Sequence, residues 1–278
     1  LLAVPRERSM PEMQPLLILD SVTVFGPEAR GRVVCGGSHG GIYAAYLCAR
    51  AGVAAVLLND AGMGLGRAGI AGIDWLEGPG VPAAALSHRS CRIGDGADAL
   101  ARGVISHANR FALALGVVPG MRAGEALERL GGATPAAALP PERRESRHTL
   151  PIPGATAIDS ASLLTEADRG AIAIIGSHGG LLGGRPETAA KVDVFAALFN
   201  DADGGMDGAG YTRLPALEAR GIAAGTLSAW TARIGDGMSG WETGVVSALN
   251  ATARRYGARL GDPAKDFVEA MHAARGTR

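Results

Sequence analysis

Lysine is nearly missing from this sequence: Lys191 and Lys265 are the only two, so almost all of its 27 positive side chains are arginine. They are balanced by 27 acidic residues, for a formal net charge of zero. A chain with no excess of positive charge has no field with which to gather phosphate backbones or anionic lipid, which argues against nucleic acid or a membrane surface as its partner. No apolar run approaches the roughly 18 residues that a membrane helix needs. Cysteine is scarce and odd in number, Cys35, Cys48 and Cys91 with no Cys-x-x-Cys pair. That usage suits a reducing, cytoplasmic setting better than a disulfide framework. Aromatic residues make up only 4%, so small residues must dominate the core.

Glycine is what the chain has in excess, 42 of 278 residues, about twice the usual share of roughly 7%. Apolar residues reach 47%, which argues against disorder, and the glycines lack the three-residue period of collagen. The length allows one large domain or two modest ones. Residues 1–15 carry Arg6, Glu7 and Arg8 among prolines, without the basic, then apolar, then small-residue order of a signal peptide. They are expected to form a loose arm, and with Leu at position 1, Met10 is a candidate start.

A search for internal repeats gives the largest result. Asp20-Ser21 recurs as Asp159-Ser160, and Gly37-Ser38-His39-Gly40-Gly41 recurs as Gly176-Ser177-His178-Gly179-Gly180, both at an offset of 139 (39 to 178). After a two-residue insertion the offset becomes 141 (59 to 200): Asn59-Asp60 matches Asn200-Asp201, and Arg92-Ile93-Gly94-Asp95-Gly96 matches Arg233-Ile234-Gly235-Asp236-Gly237. Chance does not keep so many polar and glycine identities in one order. The chain therefore reads as two copies of one unit, over 16–131 and 154–262, joined by an Ala- and Pro-rich linker over 132–153 that holds the charged stretch Glu142 to Glu145.

Within each copy, short apolar runs that end in polar or glycine residues have the character of buried parallel strands. They fall at 16–19, 32–36, 54–58 and 83–86, with partners at 156–158, 171–175, 195–199 and 223–227. Helical spacing predicts a helix over 42–51, stopped by Gly52, and a second over 103–115, stopped by Gly116. The fold class expected is α/β: a tandem duplication of a Rossmann-like, mostly parallel β/α unit with pseudo-two-fold symmetry. The first crossover, of about eleven residues, is marginal for joining parallel strands.

Each repeated motif has a plain reading beside a functional one. Glycines at a strand-to-helix turn let the backbone point N–H groups at an anion, or they merely allow tight packing. Packing has no use for Ser38, His39, Ser177 and His178, and loops carry sites, so those four are the catalytic candidates. The amides of Gly40, Gly41, Gly179 and Gly180 are candidate oxyanion donors. Asn59, Asp60, Asn200 and Asp201, at strand ends, either face a ligand crevice or cap turns. Arg92 and Arg233 either bind a substrate carboxylate, oriented by Asp95 and Asp236, or close internal salt bridges with them. His88, His107 and Cys91 occur only in the first copy, where the second has Ala229, Ala248 and Ala232. Such differences could mark a working half, or be ordinary packing.

Residues 36–40 fit Gly-x-Ser-x-Gly, but Ile175 breaks the pattern in the second copy, and a duplication does not supply the single sheet of an α/β-hydrolase. Gly62-Met63-Gly64-Leu65-Gly66 is not the Gly-x-Gly-x-x-Gly of a dinucleotide site. His39, Asp60, Asp95 and Asp20 could converge on a cation, but no His-x-x-x-His or His-Glu-x-x-His spacing calls for a metal, and no cofactor is expected. The expected function is that of a small-molecule hydrolase cleaving an amide-type C–N bond in a polar, carboxylate-bearing substrate. In that reading His39 and His178 are an acid/base pair titrating near working pH, Ser38 or Ser177 is the nucleophile, and both repeats line one cleft. The alternatives are a non-catalytic metabolite- or anion-binding module and a lyase or isomerase using the same histidines. A purely structural subunit of a homo-oligomer leaves the repeated Ser-His pairs unexplained.

Overall fold

Runs of Val, Ile, Leu and Ala bounded by glycine give each half of the chain its own sheet. The computed structural model describes residues 16–136 and 138–277; the expected N-terminal arm and Met10 lie outside the described residues. The first half runs β1 (Leu16–Leu19), β2 (Val33–His39), α1 (Ile42–Ala51), β3 (Ala55–Asn59), α2 (Ala71–Trp75), β4 (Ala83–Leu86), α3 (Gly96–Arg102), β5 (Ile105–Ala108), α4 (Arg110–Ala114) and α5 (Ala123–Leu130). The second runs β6 (Arg147–Thr149), β7 (Ala155–Ile158), β8 (Ile172–His178), β9 (Ala196–Asn200), α6 (Arg213–Ala219), β10 (Ala223–Leu227), α7 (Gly237–Thr243), β11 (Val246–Leu249), α8 (Ala251–Arg255) and α9 (Ala264–Gly276). The fold is thus mixed α/β, with two sheets of mostly parallel strands.

Strand order follows chain order in both sheets. β1 to β4 are mutually parallel and β5 closes the sheet antiparallel. β7 to β10 are likewise parallel, with β6 and β11 antiparallel at the two edges. The short β1-to-β2 crossover does join parallel strands, through two 3-10 turns in place of a helix, Val22–Val24 and Pro27–Ala29.

Alternation along each buried strand sends successive side chains to opposite faces. Val34, Val56 and Leu58 meet α1 and α2, while Val33, Cys35, Leu57 and Leu86 meet α3 and α5. In the second half Ile172, Ile174 and Leu198 pack under α9 through Phe267, Val268 and Met271, and Phe199 packs under α6 through Leu214 and Leu217.

Two departures from the sequence reading have local causes. The helix expected over 103–115 is instead β5 followed by the short α4. Val104 and Ile105 are β-branched and pair with neighbouring backbone, and Asn109 then caps α4 by accepting the Ala112 N–H. The helix after Gly41 has no counterpart after Gly180, because Gly183 and Gly184 take φ of 59° and 69° and Pro186 follows, leaving only 3-10 turns.

The strands that carry Ser-His are themselves irregular. Between Cys35 and His39 on β2, and between Ile174 and His178 on β8, the register slips against β3 and β9. The bulge extends each strand through the histidine and re-aims the last side chains, a common device beside binding sites.

Candidate functional site

The glycines of the Ser-His motif are there for close backbone contact. A Cβ on Gly37 would collide with Asp95 N and Gly94 C, and one on Gly176 with Asp236 N and Gly235 C. The Gly94 and Gly235 amides donate to the carbonyls of Gly37 and Gly176, both at 2.8 Å. The Arg-Ile-Gly-Asp-Gly turn is thereby locked against the Ser-His strand in both halves.

The amides expected to form an oxyanion hole are already engaged. Gly40 and Gly179 N–H donate to the Asn59 and Asn200 carbonyls at 2.8 Å. Gly41 N–H donates to His39 Nδ1 at 3.1 Å and Gly180 N–H to His178 Nδ1 at 3.2 Å. This corrects the expectation, and it fixes both imidazoles in one tautomer, with Nδ1 accepting and the proton on Nε2.

The two rings meet across the halves, edge to face, with centroids 6.5 Å apart. Burial pushes the His39 pKa down to about 4. Burial, helped by the Arg213 charge, holds His178 well below its ordinary 6.5. Both are neutral at pH 7, so the expected titration near working pH is not what burial allows. Among the described residues no buried side-chain nitrogen or oxygen lacks a hydrogen-bond partner, and neither Nε2 has a protein partner. Neither Nε2–H is therefore sealed off, and both rings line one cavity.

That cavity, about 50 Å³, is also walled by Ser21, Ser38, Glu145, Ser160 and Ser177. It shares Ser21, Thr23, Ser160, Ser177 and His178 with a neighbouring cavity of about 320 Å³, the size of a small ligand pocket. Ser38 Oγ accepts the Val22 N–H at 3.0 Å and Ser177 Oγ accepts the Ala161 N–H at 2.9 Å. Neither hydroxyl is bonded to an imidazole, and both imidazoles carry hydrogen where a base would need a lone pair. Glu145 lies in the same wall and accepts from Ser162 Oγ at 3.2 Å. Burial, together with the Asp159 charge, raises its pKa above the ordinary carboxyl value.

The remaining candidates lie elsewhere. Asn59 and Asn200 are buried turn locks, accepting the Ala61 and Ala202 amides at 2.9 Å and donating to the Cys91 and Ala232 carbonyls. Asp201 accepts the Ala229 and Asp203 amides. Asp60 pairs with His88 Nδ1 at 2.8 Å, while His88 Nε2 reaches Asp203 of the other half at 3.1 Å. Asp95 and Asp236 cap α3 and α7. Arg92 reaches Asp207 across the halves at 2.9 Å, and Arg233 is exposed with Asp236 4.0 Å away. Neither arginine lines the histidine cavity, so the expected clamp on a substrate carboxylate is not built there.

Of the residues special to the first copy, His88 is the inter-half bridge just described, Cys91 is buried, and His107 pairs with Asp74 at 2.5 Å on the surface. The sequence reading missed Glu145, Lys191 and Arg213. Lys191 and Arg213 are not repeated in the first half and Glu145 lies between the repeats, so the repeat could not flag them; Ser21 and Ser160 were in the repeat but did not stand out as site residues.

Among the described residues no group of three or more His, Cys, Asp or Glu is placed to hold a metal ion, and no helix is long and apolar enough to cross a membrane. Comparison with protein-family models, with curated proteins and with solved structures finds no match.

Proposed function

We propose that the chain is a tandem duplication of one β/α unit with pseudo-two-fold symmetry, and that it is a hydrolase cleaving the C–N bond of a small polar, carboxylate-bearing molecule in the cavity between His39 and His178. The observation that carries this reading is the pairing of those imidazoles, far apart in sequence, at 6.5 Å and in one tautomer, beside a carboxyl of raised pKa.

Two neutral Nε2–H groups can hold a carbonyl oxygen and the negative charge that grows on it as the bond is attacked. This role replaces the acid/base pair, since a group with a pKa near 4 is not a proton store at pH 7. Glu145 supplies the proton transfer: its carboxylate takes a proton from the attacking water and delivers it to the departing nitrogen. Water is the nucleophile here because Ser38 and Ser177 have no base; their hydroxyls, each accepting a backbone N–H, serve as donors to the substrate.

The depressed titration of both histidines favours one second reading, a binding module in which the same donors grip a metabolite without turnover. A panel of small carboxylate-bearing amides, lactams and ureas, assayed for released amine or ammonia, separates the two. Glu145→Gln is expected to lower the rate of the best substrate by about 100- to 10,000-fold with an unchanged melting temperature. Saturable binding with no turnover of any compound selects the binding module, and full activity in Glu145→Gln removes the assigned proton path.

A further inference from the structure

The second half carries a buried charge where the first has a glycine. At the offset of 141, Arg213 stands where Gly72 stands, and both backbone amides make the same bond, to Gly179 O and Gly40 O. The Arg213 side chain is only 4% exposed. Its Nε donates to the carbonyls of His178 at 3.2 Å and Gly180 at 3.1 Å, its Nη1 to those of Thr188 and Ala189, and its face lies over the Phe199 ring at 5.1 Å. All of these partners are dipoles. Among the described residues no carboxylate is paired with this guanidinium.

An enclosed cation without a counter-ion is costly, and proteins ordinarily pair it. Among the described residues Arg213 Nη2 has no partner, yet no buried side-chain nitrogen lacks one. Nη2 is therefore not sealed off, and Arg213 lines the cavity of about 320 Å³ together with His178, Ser177 and Lys191. Lys191 Nζ gives one hydrogen bond to Ser162 O at 3.0 Å, and an ammonium has two more to give. The cavity runs along the segment after Gly180, bounded by Leu182, Thr188 and Ala190. There the glycines and Pro186 have replaced the helix that follows Gly41 in the first half.

We propose that this cavity is an oxyanion site, in which Arg213 Nη2 and Lys191 Nζ take the carboxylate or phosphate end of the ligand. Ser177 and His178 line both cavities, so a ligand anchored on Arg213 extends toward the imidazole pair. The orientation of the reacting carbonyl toward His39 and His178 rests on the hydrolase reading; the anion site itself does not. It also moves the substrate anion from Arg92 and Arg233 to a residue that only the second half possesses.

The test is calorimetric titration of the full chain with malonate and, separately, inorganic phosphate, against sodium chloride at equal ionic strength. Saturable binding of either anion is expected, and which one binds names the source of the charge. Arg213→Met is expected to weaken binding about tenfold or more, the loss of one charge-assisted hydrogen bond, and Lys191→Ala, at an exposed side chain, to weaken it less. Because Arg213 also ties together four carbonyls, its variant can lose the fold. A crystal structure of the unaltered protein grown with the binding anion supplies the second measurement, with an oxygen expected at hydrogen-bond distance from Nη2. Failure of both anions to bind, or an anion seated away from Arg213 and Lys191, overturns the proposal. Arg213-dependent binding in a protein that turns over no amide keeps the site and discards hydrolysis; turnover without anion binding discards the site alone.

Discussion

The imidazoles of His39 and His178 each accept a backbone N–H at Nδ1, and burial disfavours a proton on either ring. In the unfolded chain they titrate near 6.5. As pH falls from 6.5 toward about 4, the unfolded state takes up protons that the fold refuses, so stability declines on acidification and is whole above 6.5. His88 behaves oppositely. Burial alone would lower its pKa, but the hydrogen bond and charge of Asp60, with Asp203 on the other ring nitrogen, raise it above 6.5. Its contribution is complete below 6.5 and is lost as pH rises through the raised value. For Asp60 burial opposes ionisation, yet the hydrogen bonds from His88 hold its carboxyl below the ordinary 3.8, so its contribution is lost only as pH falls through that lowered value. Melting temperature against pH is expected to flatten between about 4 and 6.5 in His39→Gln, and to lose its alkaline decline in His88→Gln; profiles identical to the unaltered protein would contradict both assignments. The sequence marked these side chains as unusual, through the repeat for His39 and through its breach for His88. It did not show that glycine amides two residues on are turned back onto Nδ1, because that depends on the strand bulge. Arg213 gave no signal, since a lone arginine in a short helix reads as surface.

Glycine does different work in different elements, and the contrast can be measured. At Gly37 a methyl group would strike the backbone of the turn that holds Asp95, and nothing flexible is there to yield. Gly124, inside α5, has nothing within 4 Å of the same methyl. Gly37→Ala is expected to destabilise by about 1–3 kcal/mol through overpacking, and Gly124→Ala to stabilise by about 0.4–1 kcal/mol by restricting the unfolded chain. Denaturant midpoints check both; a neutral Gly37→Ala would mean that the motif's first glycine is not held by packing. The apolar runs place the starts of the parallel strands to within one residue, since buried strands need little beyond a continuous apolar stretch, but β2 and β8 run three residues further, through the histidine. The helix expected over 103–115 hides β5, because a strand of four residues with half-buried Ser106 and His107 shows no clean alternation.

Across the whole molecule the two halves grip each other by matching contacts. Leu65 N–H donates to Ala229 O at 2.7 Å and Met206 N–H to His88 O at 2.6 Å, and Ala61, Ile93, Ala202 and Ile234 share one apolar cluster. On this paired frame the differences are one-sided: Arg213 answers Gly72, 3-10 turns answer α1, and Glu145 comes from the segment over 132–153. That segment also adds β6 to the second sheet, and α9, beyond residue 262, covers the sheet's far face. The sequence repeat makes the frame legible, while what differs between the halves needs coordinates to be placed. In the proposed function His39 and His178 hold the same substrate oxygen. The direct measurement is a double-mutant cycle on the amide that the unaltered protein cleaves fastest. His39→Ala and His178→Ala are each expected to lose about 100- to 1,000-fold in kcat. The double variant should lose less than about tenfold more than the weaker single one, as coupled donors do. Losses that multiply, or either single variant melting normally with full activity, would contradict a shared site.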